Sequence, residues 1–313
     1  MTFTRLLLAT AIASAPAVGA EPVATTAAAP ETGFVRLDDD ITVRRLVVRK
    51  ADPQGAVLFL HGFPETSLAF KDVAVSLGDA YEVHAFDWPG YGQSSRPSPD
   101  RFGYAPADYA RVLKAYIAHE RLDTSKLTIY ATDIGALPAL LLALDEPRIA
   151  RRIIVGDFAP FDRPQYMHDN LRNLKNPGAA EATHAAMNAN RADILANFYR
   201  RDLPRESQFD LSPEFAGDVA QNWQRDGMTA ADAFAHYYAH FTRDQRFLEA
   251  NLARLQTPVR VLWGERDIYI RPDMGVEFAR KAGLQLDVLP GVGHYPHLQD
   301  PARTVLEVRA SFR

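Results

Sequence analysis

The sequence predicts an α/β fold: a mostly parallel, eight-stranded sheet flanked by helices, with a helical cap inserted after the sixth strand. Three observations lead there. Short apolar runs alternate with segments of helical spacing, and runs such as Ala56-Val57-Leu58-Phe59-Leu60 suit strands buried on both faces. Strand signals vanish between residues 158 and 251, where helical patterning takes over, punctuated by Gly178 and Pro204. Four distinctive polar segments follow directly on predicted strands, where open parallel sheets bind ligands.

Taken in order, residues 34–37 and 41–49 alternate apolar with polar side chains, as half-buried strands do. The buried run at 56–60 follows, then a helix over 68–77 and a strand over 81–86. Residues 106–121 have helical spacing, with Tyr109, Val112, Leu113, Tyr116 and Ile117 on one face. A strand over 127–130 breaks sharply at Asp133 and turns into a helix reaching residue 144. Residues 153–155 form the next buried strand. Beyond the cap the alternation resumes with a strand at 259–264, a helix at 273–281, a strand at 285–289 and a helix at 302–312. The core is therefore 34–157 and 252–313, and the cap 158–251. No internal repeat is present.

Composition narrows the classes. With 313 residues, 47% hydrophobic and 24% charged, the chain suits one large domain plus an insertion. A net charge of −4 gives no basic footprint for nucleic acid. The absence of cysteine excludes thiol nucleophiles, disulfides and thiolate-ligated metals. Residues 1–20 read as a secretory signal peptide: Arg5 follows a short start, residues 6–15 are apolar, and Val18-Gly19-Ala20 fits a cleavage site. The apolar run stops at Pro16, short of the ~20 residues of a membrane span. Residues 21–33, rich in Ala, Thr and Pro, read as a disordered leader. The expectation is an exported protein, periplasmic or secreted, without a membrane anchor. Its oligomeric state is open, a homodimer included.

The chemistry centres on Asp133. A strand, a tight turn and a helix with one reactive side chain at the apex make a nucleophile elbow, and Ala131 and Gly135 are the small residues such a crossing needs. Taken alone, Asp133 could equally be a helix N-cap. Asp267 and His294, each just past a later strand, follow it in the order nucleophile, acid, histidine. Asp157, at the end of the preceding strand, is an alternative acid, and Glu265 lies two residues from Asp267. No serine has Gly or Ala both two before and two after it, so a serine esterase is disfavoured.

From about residue 34 onward the chain resembles the α/β-hydrolase epoxide hydrolases and haloalkane dehalogenases, which use an Asp nucleophile. The likeness rests on HGFPE (61–65), DWPGYGQSS (87–95), ATDIGA (131–136), WGERD (263–267) and GVGHYPH (291–297). It implies that Asp133 displaces a leaving group from an sp³ carbon and forms an ester. His294, oriented by Asp267, would activate the water that hydrolyses it. The N–H groups of Phe63 and Ile134, in a segment with His61 and Pro64, would stabilise the oxyanion. No metal or organic cofactor is implied.

The leaving group is read from departures within that resemblance. Haloalkane dehalogenases usually carry Trp after the nucleophile and often Asn after the His-Gly pair; here Ile134 and Phe63 stand there. Haloacetate enzymes carry Arg at positions held here by Ile134 and Leu137. HGFPE is similar to the epoxide hydrolase motif, so ring opening to a vicinal diol is favoured over dehalogenation and over a non-catalytic binding protein. The resemblance makes Tyr238, or else Tyr237, a ring-opening acid and His184 a second donor, with Tyr199 and Tyr166 weaker candidates. Trp88, Phe63 and the cap aromatics predict an apolar pocket for an apolar epoxide or halogenated substrate. His236 and His240, four apart on a helix, have no acidic partner completing a metal site and read as a solvated face. The glycines of the 87–95 loop read as structural.

Overall fold

The computed structural model describes residues 29–313. The predicted signal peptide lies outside that range. The leader, expected to run to residue 33, ends earlier. β1 (Glu31–Arg36) already pairs antiparallel with β2 (Thr42–Val48), Glu31 opposite Val47. The first half of this edge strand is mostly exposed, so backbone pairing holds it and no apolar pattern announces it.

The sheet continues with β3 (Ala56–Leu60), β4 (Glu82–Phe86), β5 (Leu127–Thr132) and β6 (Arg152–Gly156). Two-residue strands β7 (Gln224–Arg225) and β8 (Met228–Thr229) form a separate hairpin, and β9 (Val259–Gly264) and β10 (Leu286–Leu289) complete the main sheet. Its order is β1-β2-β4-β3-β5-β6-β9-β10, parallel from β4 onward. β3 and β5 are buried along their whole length, as strands covered on both faces are.

Helices α1 (Lys71–Leu77), α2 (Pro106–His119) and α3 (Ala136–Asp145) alternate with the early strands. Nearly all of α3 is buried. Its sequence, ALPALLLALD, is apolar all round because it is packed both by the sheet and by α2.

Between β6 and β9 the chain is helical: α4 (Asp169–Leu174), α5 (Pro177–Ala189), α6 (Arg191–Asn197), α7 (Pro213–Gln221) and α8 (Ala230–Asn251). Side-chain oxygens of Asn176, Ser212 and Thr229 cap α5, α7 and α8, which fixes where each begins. Along α8, Phe234, Tyr237, Tyr238, Phe241, Gln245 and Leu248 recur every three or four residues and form one buried stripe. Helices α9 (Pro272–Ala282), α10 (Pro296–Gln299) and α11 (Pro301–Ala310) finish the fold. Among the described residues no helix is long and apolar enough to cross a membrane.

Candidate active site

The parallel order aligns the carboxyl ends of β3, β5, β6 and β9 along one rim, and the loops leaving them meet. At the end of β5 the backbone turns so tightly that Asp133 sits at φ +48°, a left-handed conformation uncommon for a side chain of this kind. A Cβ on Gly135 would come within 2.9 Å of Leu60, so only glycine lets α3 cross β3 here. Gly62 is tighter still against the apex: an added Cβ would lie 2.6 Å from that of Asp133.

The two carboxylate oxygens of Asp133 face different partners. Oδ1 accepts the Phe63 backbone N–H at 2.7 Å, and Oδ2 lies 3.4 Å from His294 Nε2. The other ring nitrogen, Nδ1, is 2.8 Å from Asp267 Oδ2. Asp267 is itself fixed, because Oδ1 accepts N–H groups from Tyr269 (2.8 Å) and Ile270 (3.0 Å). Burial disfavours charge on His294, but Asp267 and Asp133 outweigh it and hold the imidazole well above the usual histidine range.

Asp157, the alternative acid, is close by: its ligand-type atom, that of Asp267 and that of His294 lie within 4.8 Å of one another. Its Oδ1 accepts from Gly264 N–H at 2.8 Å, while Oδ2 has no partner among the described residues. Burial first, and then the charge of Asp267, hold its carboxyl well above the ordinary carboxylate range. The histidine ring bonds to Asp267.

A strand-elbow carboxylate, a backbone N–H against it and a histidine relayed to an acid define the site, and the sequence around it matches one family model. Residues 57–308 match the model described as Alpha/beta hydrolase family. The chain belongs to that family. An uncharacterized protein of Mycobacterium tuberculosis is 25% identical to this alpha/beta hydrolase over 278 residues, 83% of this chain and 76% of the relative. Haloalkane dehalogenase 2 of the same organism is 32% identical, but over 108 residues, 34% of this chain and 36% of that one.

Among solved structures, epoxide hydrolase VrEH1 from Vigna radiata superposes with a TM-score of 0.69 at 21% identity, covering 90% of this chain and 97% of the other. A haloalkane dehalogenase DbeA loop variant from Bradyrhizobium elkanii gives 0.70 at 22% identity, covering 91% and 97%. At these identities the superpositions establish the fold.

The other residues singled out from the alpha/beta hydrolase sequence occupy varied surroundings. His61 is fully buried, and burial lowers its affinity for a proton. Nε2 accepts from Trp88 N–H at 3.0 Å, which leaves Nδ1 to donate to the Gly62 carbonyl at 2.8 Å. It braces the loop and does not face a substrate. Trp88 is equally buried and donates its indole N–H to the His61 carbonyl at 3.1 Å, so it lies beneath the site and not in a pocket wall. Glu65, which the sequence reading passed over within HGFPE, accepts Gly62 N–H at 2.8 Å and is bonded to His297 at 2.6 Å. Both its side chain and that of His297 are fully buried.

Phe63 stacks on Phe234 of α8 at 4.2 Å, with Phe198 and Trp223 edge-on to it at 5.9 and 6.0 Å. These rings pack as one aromatic cluster around Phe63. Pro64, joined to Phe63 by a cis peptide bond, gives its carbonyl to the Tyr199 hydroxyl. Tyr237 donates to the Ile134 carbonyl at 3.1 Å, tying α8 to the elbow. Tyr238 is buried among Phe234, Tyr237 and Phe241, and its hydroxyl has no hydrogen-bond partner among the described residues. His184 is not gathered with these groups: its Nε2 is bonded to Asp232 in the first turn of α8, with Asn188 alongside. His236 stacks against Tyr104, and Tyr166 is half-buried on the α9 side.

Proposed function

We propose that this alpha/beta hydrolase opens an epoxide of an apolar substrate to a vicinal diol through an ester on Asp133. The observation carrying this reading is the division of labour at one carboxylate. Oδ1 is already on a backbone N–H, and Oδ2 is the oxygen left to attack carbon, 3.4 Å from the histidine that serves the second step. Esterification removes the negative charge of Asp133, one of the two charges favouring imidazolium. His294 thereby loses affinity for its proton and releases it to solvent, which leaves a neutral imidazole when a base is needed. It then takes a proton from water, which adds to the ester carbon, and the charge gathers on Oδ1 beside Phe63 N–H.

Hydrolytic dehalogenation is the second reading, favoured by the haloalkane dehalogenase relative. It needs N–H donors for the halide. The indole N–H groups of Trp88 and Trp263 are spent on the carbonyls of His61 and Ile270, which leaves Trp223 beside Phe63.

The test uses His294→Gln, in which an ester on Asp133 should accumulate. A mass increase equal to an intact epoxide supports ring opening. An increase equal to an alkyl group, with halide released, supports dehalogenation. No adduct across both panels would leave a binding protein on a hydrolase scaffold. Export belongs to the same proposal and predicts a mature chain beginning at Glu21 in a native host, read by N-terminal sequencing.

A further inference from the structure

One cavity of the cap ends against the rings that surround the catalytic groups. It measures about 410 Å³ and lies between α4, α5, α6 and Tyr269. We propose that it holds the apolar chain of the substrate, and that the Phe198 ring is the gate through which that chain reaches Asp133. This rests on the reading that Asp133 is alkylated, whether an epoxide opens or a halide leaves, and it names the place where the length of the substrate is measured.

The space is open because α5 turns small side chains toward it. Ala182 and Ala186, one helical turn apart, line it and leave its volume unfilled. Its walls are apolar, for Leu171, Met187 and Ile194 are buried there. Its rim is polar, with Asn170, Asn173 and Asn190 exposed to solvent. An apolar interior below a mouth edged by amides suits a chain whose reactive end leads and whose far end stops among the amides.

The floor is a single layer of rings. Phe198 stacks on Tyr269 with centroids 4.3 Å apart. On the other side of this pair, the Tyr269 ring lies 5.2 Å from that of His294, and the Phe198 ring lies 5.9 Å from that of Phe63. His294 and Phe63 are the two partners of Asp133, whose side chain keeps 12% of its surface open. This continuity with the reacting groups is what assigns the cavity to the substrate.

The two rings of the floor are held differently. Tyr269 is pinned at three points. Its N–H donates to Asp267 Oδ1 at 2.8 Å, its carbonyl accepts from His168 N–H at 2.8 Å, and its hydroxyl donates to the Phe198 carbonyl at 2.7 Å. Moving Tyr269 would disturb the acid that orients His294. Phe198 is held only by its backbone, through that hydroxyl and through its own N–H on the Ile194 carbonyl. Its half-buried ring carries no polar atom and turns about χ1 without breaking a hydrogen bond. Turning one ring aside opens a passage one ring wide, which suits an unbranched chain better than a fused ring system.

Alkylation is measured by mass in His294→Gln offered propylene oxide and decene oxide together, so that the ratio of the two adducts reports chain preference directly. Adding Ala186→Trp, which fills the cavity, should lower the decene-to-propylene ratio by about tenfold or more. Ala185→Trp, exposed on the same helix but outside the cavity, should leave the ratio within about twofold. Phe198→Ala should raise it. Decanol, which cannot react, should raise the Tm of wild type and of Ala185→Trp but not that of Ala186→Trp. A ratio that Ala186→Trp does not lower, or a decanol shift that survives it, overturns the docking site. An unaltered ratio in Phe198→Ala overturns the gate. If only bromopropane and bromodecane alkylate the parent, the epoxide reading alone falls and the same ratios are read from them. A parent that none of these reagents alkylates removes the reading of Asp133 and the gate with it, and the decanol shift then decides the cavity by itself.

Discussion

Asp133 and Asp157 stand at the ends of adjacent parallel strands, β5 and β6, both with positive φ and with opposite surroundings. Such a backbone conformation costs on the order of 1–3 kcal/mol, which the packed strand ends must offset. The first carboxylate meets a backbone N–H and a histidine. The second is sealed with an unpartnered oxygen, and burial and the charge of Asp267 hold it well above the usual carboxylate range. Gly62 is the most exacting position around them. Alanine there would displace Asp133 or the Phe63 N–H, and kcat/KM should fall by about 100-fold or more while the circular dichroism spectrum is retained. A near-normal Gly62→Ala enzyme would show that the loop can retreat without loss. That Asp133 is a nucleophile candidate could be read from its small neighbours. That Glu65 is tied to Gly62 and His297 could not, because a loop glutamate looks alike whether it faces solvent or the interior.

The elements hold the site by tying cap to core. Arg44 on β2 reaches Asp87 at 2.6 Å and forms a two-pronged pair with Asp218 of α7 at 2.7 and 2.6 Å, and Thr66 donates to the same Asp218 carboxylate. All of these charges are largely or wholly buried, so removing one partner leaves the others uncompensated. Arg44→Met should therefore destabilise the protein by about 3–5 kcal/mol, seen as a lower urea midpoint at unchanged slope. A loss within ~0.5 kcal/mol would mean water reaches the pair. Element boundaries were legible wherever apolar runs were strong, as in β3 and β9. The β7–β8 hairpin was not, since two residues per strand leave no alternation to detect. The three-residue earlier start of β1 depends on pairing with Arg45, Leu46 and Val47, which a local pattern does not contain.

At the scale of the whole molecule, the pair His294–Asp267 links protonation to folding. The histidine has a raised affinity for its proton in the folded state compared with an unfolded value near ~6.5. Its contribution is fully present below that unfolded value and is lost as pH rises through the folded one. Chemical unfolding of wild type and His294→Gln across pH should show a stability gap that narrows on the alkaline side. A gap of constant size would indicate that His294 is neutral in the resting protein.

What the sequence determined by itself is the alternation of strands and helices, the position of the cap and the motif order that nominates Asp133, Asp267 and His294. All of these are local patterns, or local patterns in series. What only the tertiary structure decided is which side chains meet. The histidine ring bonds to Asp267 while Asp157 stays buried nearby, His184 turns to Asp232, and Trp88 and His61 brace the loop from beneath. The reason is geometric. A residue's strand fixes which rim it reaches, but its partners come from chain segments tens to more than a hundred residues away, and no spacing within one segment encodes them.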